Sequence, residues 1–178
     1  MKLLQLIVLS TLISCNSNTS NEYILKEEFN ENTLGYYSSN GPRDNSFMWS
    51  LPENWQFSTS IEIIDGGSEA GYGFILYSAS LNYEFILNRK GNVNISEYDY
   101  NKETGRVIVD EIFEDLSIEY NTPTTLELRV EDTSFEFYVN DLKVGQGSFA
   151  AKSWANLRLF ATAGGTGIKA DYFRIKSL

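Results

Sequence analysis

The chain has 178 residues, 24 acidic against 14 basic for a formal charge of −10, no histidine and a single cysteine, Cys15. An acidic surface repels phosphate and argues against a nucleic-acid partner, and the lack of His removes Ser-His and Cys-His nucleophile pairs, His general bases and His-ligated metals. Aromatic residues reach 14%, with 11 Tyr and 11 Phe against 3 Pro, a composition that strands favour, and the length suits one domain with a real core.

Residues 1–15 read MKLLQLIVLSTLISC. Lys2 begins a short basic segment, and residues 3–13 are an apolar run of signal-peptide length. That run is shorter than the roughly 20 residues a membrane-spanning helix needs. Leu12-Ile13-Ser14-Cys15 resembles a bacterial lipobox, which implies a diacylglyceryl group on the Cys15 sulfur and cleavage before it. Acyl chains such as palmitate, two or more together, give a stable anchor where one does not. The alternative is an ordinary signal peptide with a chance Cys. Asn16 stands where an Asp would resemble an inner-membrane retention signal, so the expectation is a lipid-anchored cell-envelope protein, at the outer membrane if the source has two membranes. With Cys15 in the leader, the folded domain has no thiol, no disulfide and no Cys-ligated metal. Residues 16–21 (NSNTSN) are polar and read as a flexible tether; residues 22–178 form the domain.

From Glu22 onward the patterning is that of strands. Residues 23–29 make a first strand. Residues 33–45 read as irregular, with Asn40-Gly41-Pro42 as loop material. In residues 55–64 Trp55, Phe57, Thr59, Ile61 and Ile63 alternate with polar neighbours. Residues 71–77 (GYGFILY) are denser, like a strand covered on both faces. Residues 83–87 and 93–100 flank a hairpin turn at Arg89-Lys90-Gly91-Asn92. Residues 106–113 continue after the turn NKETG, and residues 116–120 read as one more short strand. In residues 124–149 Leu126, Leu128 and Val130, then Phe135, Phe137 and Val139, alternate with polar residues, a meander with one apolar and one wet face. Asn140-Asp141 is hairpin chemistry between two of its strands. Residues 157–161 and 168–175 complete about a dozen strands. The class is therefore all-β, a sandwich or barrel.

Four pieces carry a closer resemblance. They are Glu28-Phe29-Asn30; GYGFILY followed by Asn82-Tyr83-Glu84-Phe85; Phe137-Tyr138-Val139-Asn140-Asp141; and the closing Asp171-Tyr172-Phe173-Arg174-Ile175. In this order they resemble the concanavalin A-like lectin/glucanase superfamily, especially the laminin-G-like domains of bacterial lipoproteins and the domains similar to family 16 glycoside hydrolases. The resemblance implies a two-sheet antiparallel jelly-roll sandwich over residues 23–178. That fold hosts lectins, hydrolases and interaction modules, so it does not by itself assign a function.

Three sets of candidate residues follow. Family 16 glucanases place three carboxylates on one strand, and Glu97 and Asp99 match two of them. Residues two apart share a strand face at about 6.6 Å, and paired carboxylates are what glycoside hydrolysis requires. The third position is broken, because Asn101 and Lys102 stand where it should fall. The commoner explanation is two acidic residues at a strand end. The second set is aromatic and polar. Asn94, Ser96, Tyr98 and Tyr100 share a face, and Tyr72, Tyr83, Trp49, Trp55 and Trp154 are further platforms on which a sugar ring could pack. Trp55, in phase with Phe57 and Ile61, belongs rather to the core. The third set is Glu28, Asn30 and Asp171, which could hold a structural Ca²⁺ of the kind such jelly rolls carry. Gly164-Gly165-Thr166-Gly167 lacks the Lys and helix of a phosphate loop and reads as a turn. The leading expectation is a non-catalytic domain that binds a polysaccharide or glycan. The alternatives are a glycoside hydrolase using Glu97 and Asp99, and a structural or adhesion domain contacting another envelope protein.

Overall fold

A computed structural model describes residues 23–28, 35–38, 51–116, 118–150, 156–161 and 167–178, the first two segments as backbone. Twelve strands are described: β1 (Tyr23–Glu28), β2 (Gly35–Ser38), β3 (Asn54–Asp65), β4 (Gly71–Tyr77), β5 (Leu81–Asn88), β6 (Asn92–Asp99), β7 (Thr104–Ile112), β8 (Thr124–Glu131), β9 (Ser134–Val139), β10 (Leu142–Ser148), β11 (Asn156–Ala161) and β12 (Gly167–Ser177). They form two sheets. One is seven-stranded, in the order β1-β12-β3-β8-β9-β10 with β2 also paired to β12; the other is five-stranded, in the order β11-β4-β5-β6-β7. All named pairings are antiparallel. The result is an all-β, two-sheet jelly-roll sandwich, as the sequence pattern and the family resemblance imply.

The period-2 pattern decides which side chains meet between the sheets. From the seven-stranded sheet come Trp55, Phe57, Leu126, Leu128, Phe135, Phe137 and Phe173; from the other come Tyr72, Phe74, Leu76, Tyr83, Phe85 and Leu87, all buried. Phe74 and Phe85 stack at 4.6 Å between ring centroids. Phe57 and Phe137, from the opposite sheet, meet Phe74 edge-on at 5.0 and 5.6 Å. Such pairs contribute about 0.5–1.5 kcal/mol each beyond their burial.

Turns are set by residues that tolerate a positive φ. Asn140 and Asp141 lie at φ 48° and 65°, and Val139 pairs with Leu142, so they form the tight two-residue hairpin loop that matches strand twist. Gly91 turns β5 into β6 at φ 79°. A side chain there would strike the carbonyl oxygens of Phe113 and Leu116 at 2.4 and 2.7 Å.

Two expected elements differ. Leu116 and residues 118–120, within the stretch expected as a short strand, lie outside the strands. They belong to a connection that inserts Leu116 and Ile118 into the core, and only an isolated bridge joins Tyr120 to Ile63. Two apolar residues two apart look like a strand in sequence, but here they plug one end of the sandwich. Arg89 holds the connection, donating from Nε to the Ile118 carbonyl at 3.3 Å and lying over the Tyr120 ring at 3.8 Å. Conversely, Gly35–Ser38, within the stretch read as irregular, pairs with β12. Four residues carry too little periodicity to show as a strand by themselves.

Candidate functional site

The register of the five-stranded sheet arranges its outer face in rows. One row runs Asn156, Tyr77, Asn82, Tyr98, Gly105 from β11 to β7; the next runs Arg158, Ile75, Glu84, Ser96, Val107; a third runs Phe160, Gly73, Ile86, Asn94, Asp110. The residues between these on each strand, among them Phe74, Phe85 and Ile95, fill the core. The sequence pattern placed Asn94, Ser96, Tyr98 and Tyr100 on one wet face, and the sheet brings them together there.

Tyr98 and Tyr100 are 38% and 56% exposed, with ring centroids 4.9 Å apart and planes at 76°. Two features fix Tyr100. The Asn82 amide, buried beneath, donates to the Tyr100 hydroxyl, and the Tyr100 backbone N–H donates to the Ser80 carbonyl at 3.0 Å. Gly105, beside Tyr98, has no side chain to crowd the ring. A groove beside this pair is lined by Glu84, Ser96, Tyr98, Tyr100, Gly105 and Val107, with Glu97 and Arg106 contributing. Among the described residues, neither Glu84 nor Ser96 has a hydrogen-bond or ion-pair partner on its side chain. Glu84 was not singled out in the sequence. Its signal was its phase: it faces away from Tyr83 and Phe85, and its role shows only once β6 lies beside it.

Glu97 and Asp99 behave differently. Glu97 falls on the inner side of β6, in register with Tyr83 on β5 and Arg106 on β7. It accepts a hydrogen bond from the Tyr83 hydroxyl and an ion pair from Arg106 at 3.2 Å. The Tyr83 hydroxyl also accepts the Ala150 N–H at 2.7 Å. Burial, reinforced by the Glu97 hydrogen bond, raises the pKa of the Tyr83 phenol. Asp99 caps the turn into β7, accepting the N–H groups of Asn101 and Lys102 at 3.0 and 3.2 Å. Lys102 pairs with it at 2.9 Å and, together with those N–H groups, holds its carboxyl below the usual carboxylate range.

The remaining candidates divide. Tyr72 is not a ligand platform, and here the structure corrects the sequence reading. It shares the phase of Phe74 and Leu76 and is fully buried, with its hydroxyl unpartnered and its pKa raised by that burial. Tyr83 and Trp55 are likewise buried. Trp49, Trp154, Cys15 and Asn30, and the side chain of Glu28, lie outside the described residues. Backbone pairing sets Glu28 opposite Tyr172, next to Asp171, whose carboxylate accepts the Ser60 hydroxyl at 3.2 Å. Among the described residues no three acidic side chains converge as a metal site would require.

The outer face of the other sheet carries a polar network. Gln56 donates to Glu127 at 2.6 Å, and Arg129 donates to the same carboxylate at 2.6 Å. Arg129 also lies over the Tyr138 ring at 4.5 Å. Tyr138 donates to Glu136 at 2.6 Å, and Lys143 pairs with Glu136 at 2.5 Å. These six side chains are thus paired with one another.

No protein-family model matches the chain, and no curated protein sequence matches it. Solved structures do match in fold. A mutant of the GH43 protein BlXynB from Bacillus licheniformis aligns with a TM-score of 0.57 and 12% identity, over 82% of this chain and 33% of that one. The carbohydrate-binding module CBM66 from Bacillus subtilis aligns at 0.55 with 18% identity, over 84% of this chain and 99% of the module. Sheep galectin-11 aligns at 0.53 with 12% identity, over 73% and 98%. The chain thus spans about a third of the GH43 protein and nearly the whole of the carbohydrate-binding module and of the galectin. At these identities the likeness is one of fold, the concanavalin A-like sandwich.

Proposed function

We propose that this domain is a non-catalytic carbohydrate-binding module, carried at a membrane of the cell envelope by lipid on Cys15. The observation that carries the reading is the Tyr98–Tyr100 pair beside the unpartnered Glu84 and Ser96. An aromatic surface takes the C–H face of a sugar ring while neighbouring polar groups take its hydroxyls. The face is preorganised by Asn82 and the Ser80 carbonyl, so little ordering cost is left for binding. Similar folds in a carbohydrate-binding module and a galectin agree with a glycan ligand.

The lipid anchor rests on the Leu12–Cys15 motif and points to the outer membrane in a two-membrane bacterium. A structural Ca²⁺ held through Glu28, Asn30 and Asp171 is proposed on the strand register that sets Glu28 beside Asp171. A hydrolytic function through Glu97 and Asp99 is less well supported, because both carboxylates are already engaged by Tyr83, Arg106, Lys102 and backbone N–H groups.

The test is retention of the purified protein on a panel of immobilised polysaccharides, with Tyr98→Ala alongside. Binding by the parent and a loss of at least tenfold in the variant are expected. A chain that binds nothing in the panel, or binds equally well without Tyr98, removes this assignment and leaves a protein partner in the envelope as the better reading.

A further inference from the structure

We infer that the groove beside Tyr98 and Tyr100 selects neutral sugars and rejects acidic ones, with Glu84 as the residue that makes the choice. The inference rests on the carbohydrate-binding reading and names the class of glycan. Glu84 sits in the middle strand of the five-stranded sheet, half-buried, directly opposite Ser96. Its carboxylate lines the groove with no cation or donor to satisfy it among the described residues. An ionised carboxylate is acceptor-only, with two oxygens, so it can take two adjacent hydroxyl protons of one sugar while Ser96 serves a neighbouring oxygen. Hydrogen bonds to an ionised acceptor are roughly twice as strong as neutral ones.

The surrounding charges favour the same class. Arg106, the basic residue lining the groove, is committed to Glu97. Arg158, whose Nε has no hydrogen-bond partner among the described residues, lies in the same row as Glu84 but two strands away, beyond Ile75, a backbone separation of about 10 Å by strand spacing. Asp110 adds a second negative group on the outer face of β7. A uronate or sulfate placed on the tyrosines would therefore meet Glu84, on the adjacent strand, before Arg158 on the edge strand β11, and like charges at close range cost both solvation and Coulomb energy.

The experiment compares the purified full chain with Glu84→Gln, by affinity electrophoresis through gels carrying neutral polysaccharides (xylan, laminarin, levan) or acidic ones (polygalacturonate, alginate), at low and high salt. Glu84→Gln removes the charge and keeps the shape. Because the Glu84 side chain has no protein partner, the melting temperature should not move. The wild type is expected to be retarded by a neutral polymer and by neither acidic one. In Glu84→Gln, retardation by the neutral polymer should weaken about tenfold, the worth of one charge-assisted hydrogen bond, and the acidic polymers should begin to retard it. Wild-type binding to polygalacturonate or alginate at least as strong as to any neutral polymer overturns the inference while leaving the carbohydrate reading intact. So does a neutral-polymer affinity unchanged by Glu84→Gln. Retardation by no polymer at all overturns both.

Discussion

Tyr83 on β5 and Glu97 on β6 are cross-strand partners joined by a hydrogen bond from phenol to carboxylate. The bond ties a core aromatic to the carboxylate that the sequence offered as a catalytic group. Tyr83 also accepts the Ala150 N–H, so one hydroxyl joins β5, β6 and the chain after β10. Tyr83→Phe should destabilise the domain by about 1–3 kcal/mol, since it leaves a carboxylate and an N–H short of partners. Tyr72→Phe should do the reverse. The Tyr72 hydroxyl is enclosed and unpartnered, so removing it is expected to be neutral or stabilising by about 1 kcal/mol. Urea denaturation of both variants checks the opposite signs.

The same two tyrosines set an alkaline limit. Both phenols are raised above their ordinary value of 10.0 in the fold, chiefly by burial. The unfolded chain releases these protons near pH 10 while the folded chain keeps them. Their contribution is thus complete below that pH and is lost as pH rises past it. On the acid side, Asp99 and Glu136 are held below 3.8 and 4.5 by Lys102 and Lys143. What they add is present above those values and is lost as pH falls through the depressed ones. A melting-temperature profile should be flat near neutrality, fall below about pH 4 and fall again above about pH 10. The alkaline fall should be shallower in Tyr83→Phe.

Gly73 on β4 lies against the Phe85 carbonyl of β5. A Cβ at this position would sit 1.9 Å from the Phe85 carbonyl oxygen, a backbone atom that cannot turn aside. Gly73→Ala is expected to cost about 3 kcal/mol or more, at the upper end of overpacking changes. It should also disturb the face that carries Glu84, because the two strands must part. Denaturation together with polysaccharide binding tests both effects.

Tyr98 should separate binding from folding. Its exposed ring contributes little to the core, so Tyr98→Ala should shift stability by less than about 0.5 kcal/mol. Tyr72→Ala, by contrast, should cost about 3–5 kcal/mol as a buried aromatic truncation. If the two variants lost stability alike, the assignment of inner and outer faces would be wrong.

The lipid and cation proposals have direct tests. Cys15→Ser should move the expressed chain from the detergent phase to the aqueous phase on detergent partitioning; a variant that stayed with detergent would rule out lipidation at that sulfur. Calcium bound through Glu28, Asn30 and Asp171 should make the melting temperature fall on chelation and recover on adding Ca²⁺. An unchanged midpoint would remove the ion.

Much of this protein is legible in its sequence because a strand's side chains alternate with a period of two. That period assigned Phe57, Leu128 and Phe137 to an inner face and Asn94, Ser96 and Tyr98 to a polar one, and turn chemistry marked the hairpin at Asn140-Asp141. Phase had the information to place Tyr72 in the core too, but its aromatic ring resembled a platform when taken one residue at a time. What one strand cannot show is its neighbour. Glu84 meets Ser96, Glu97 meets Tyr83 and Arg106, and Asn82 supports Tyr100 only through pairings between strands. Leu116 and Ile118 enter the core from a connection rather than from a strand, which depends on the two sheets around them. Composition, phase and turn chemistry are local, so the sequence by itself determined the all-β class and which side of each strand is apolar. Register and the packing of two sheets are non-local, so only the tertiary structure decided that Glu97 is bound to Tyr83 and Arg106 while Glu84 lies beside Ser96 with no partner among the described residues.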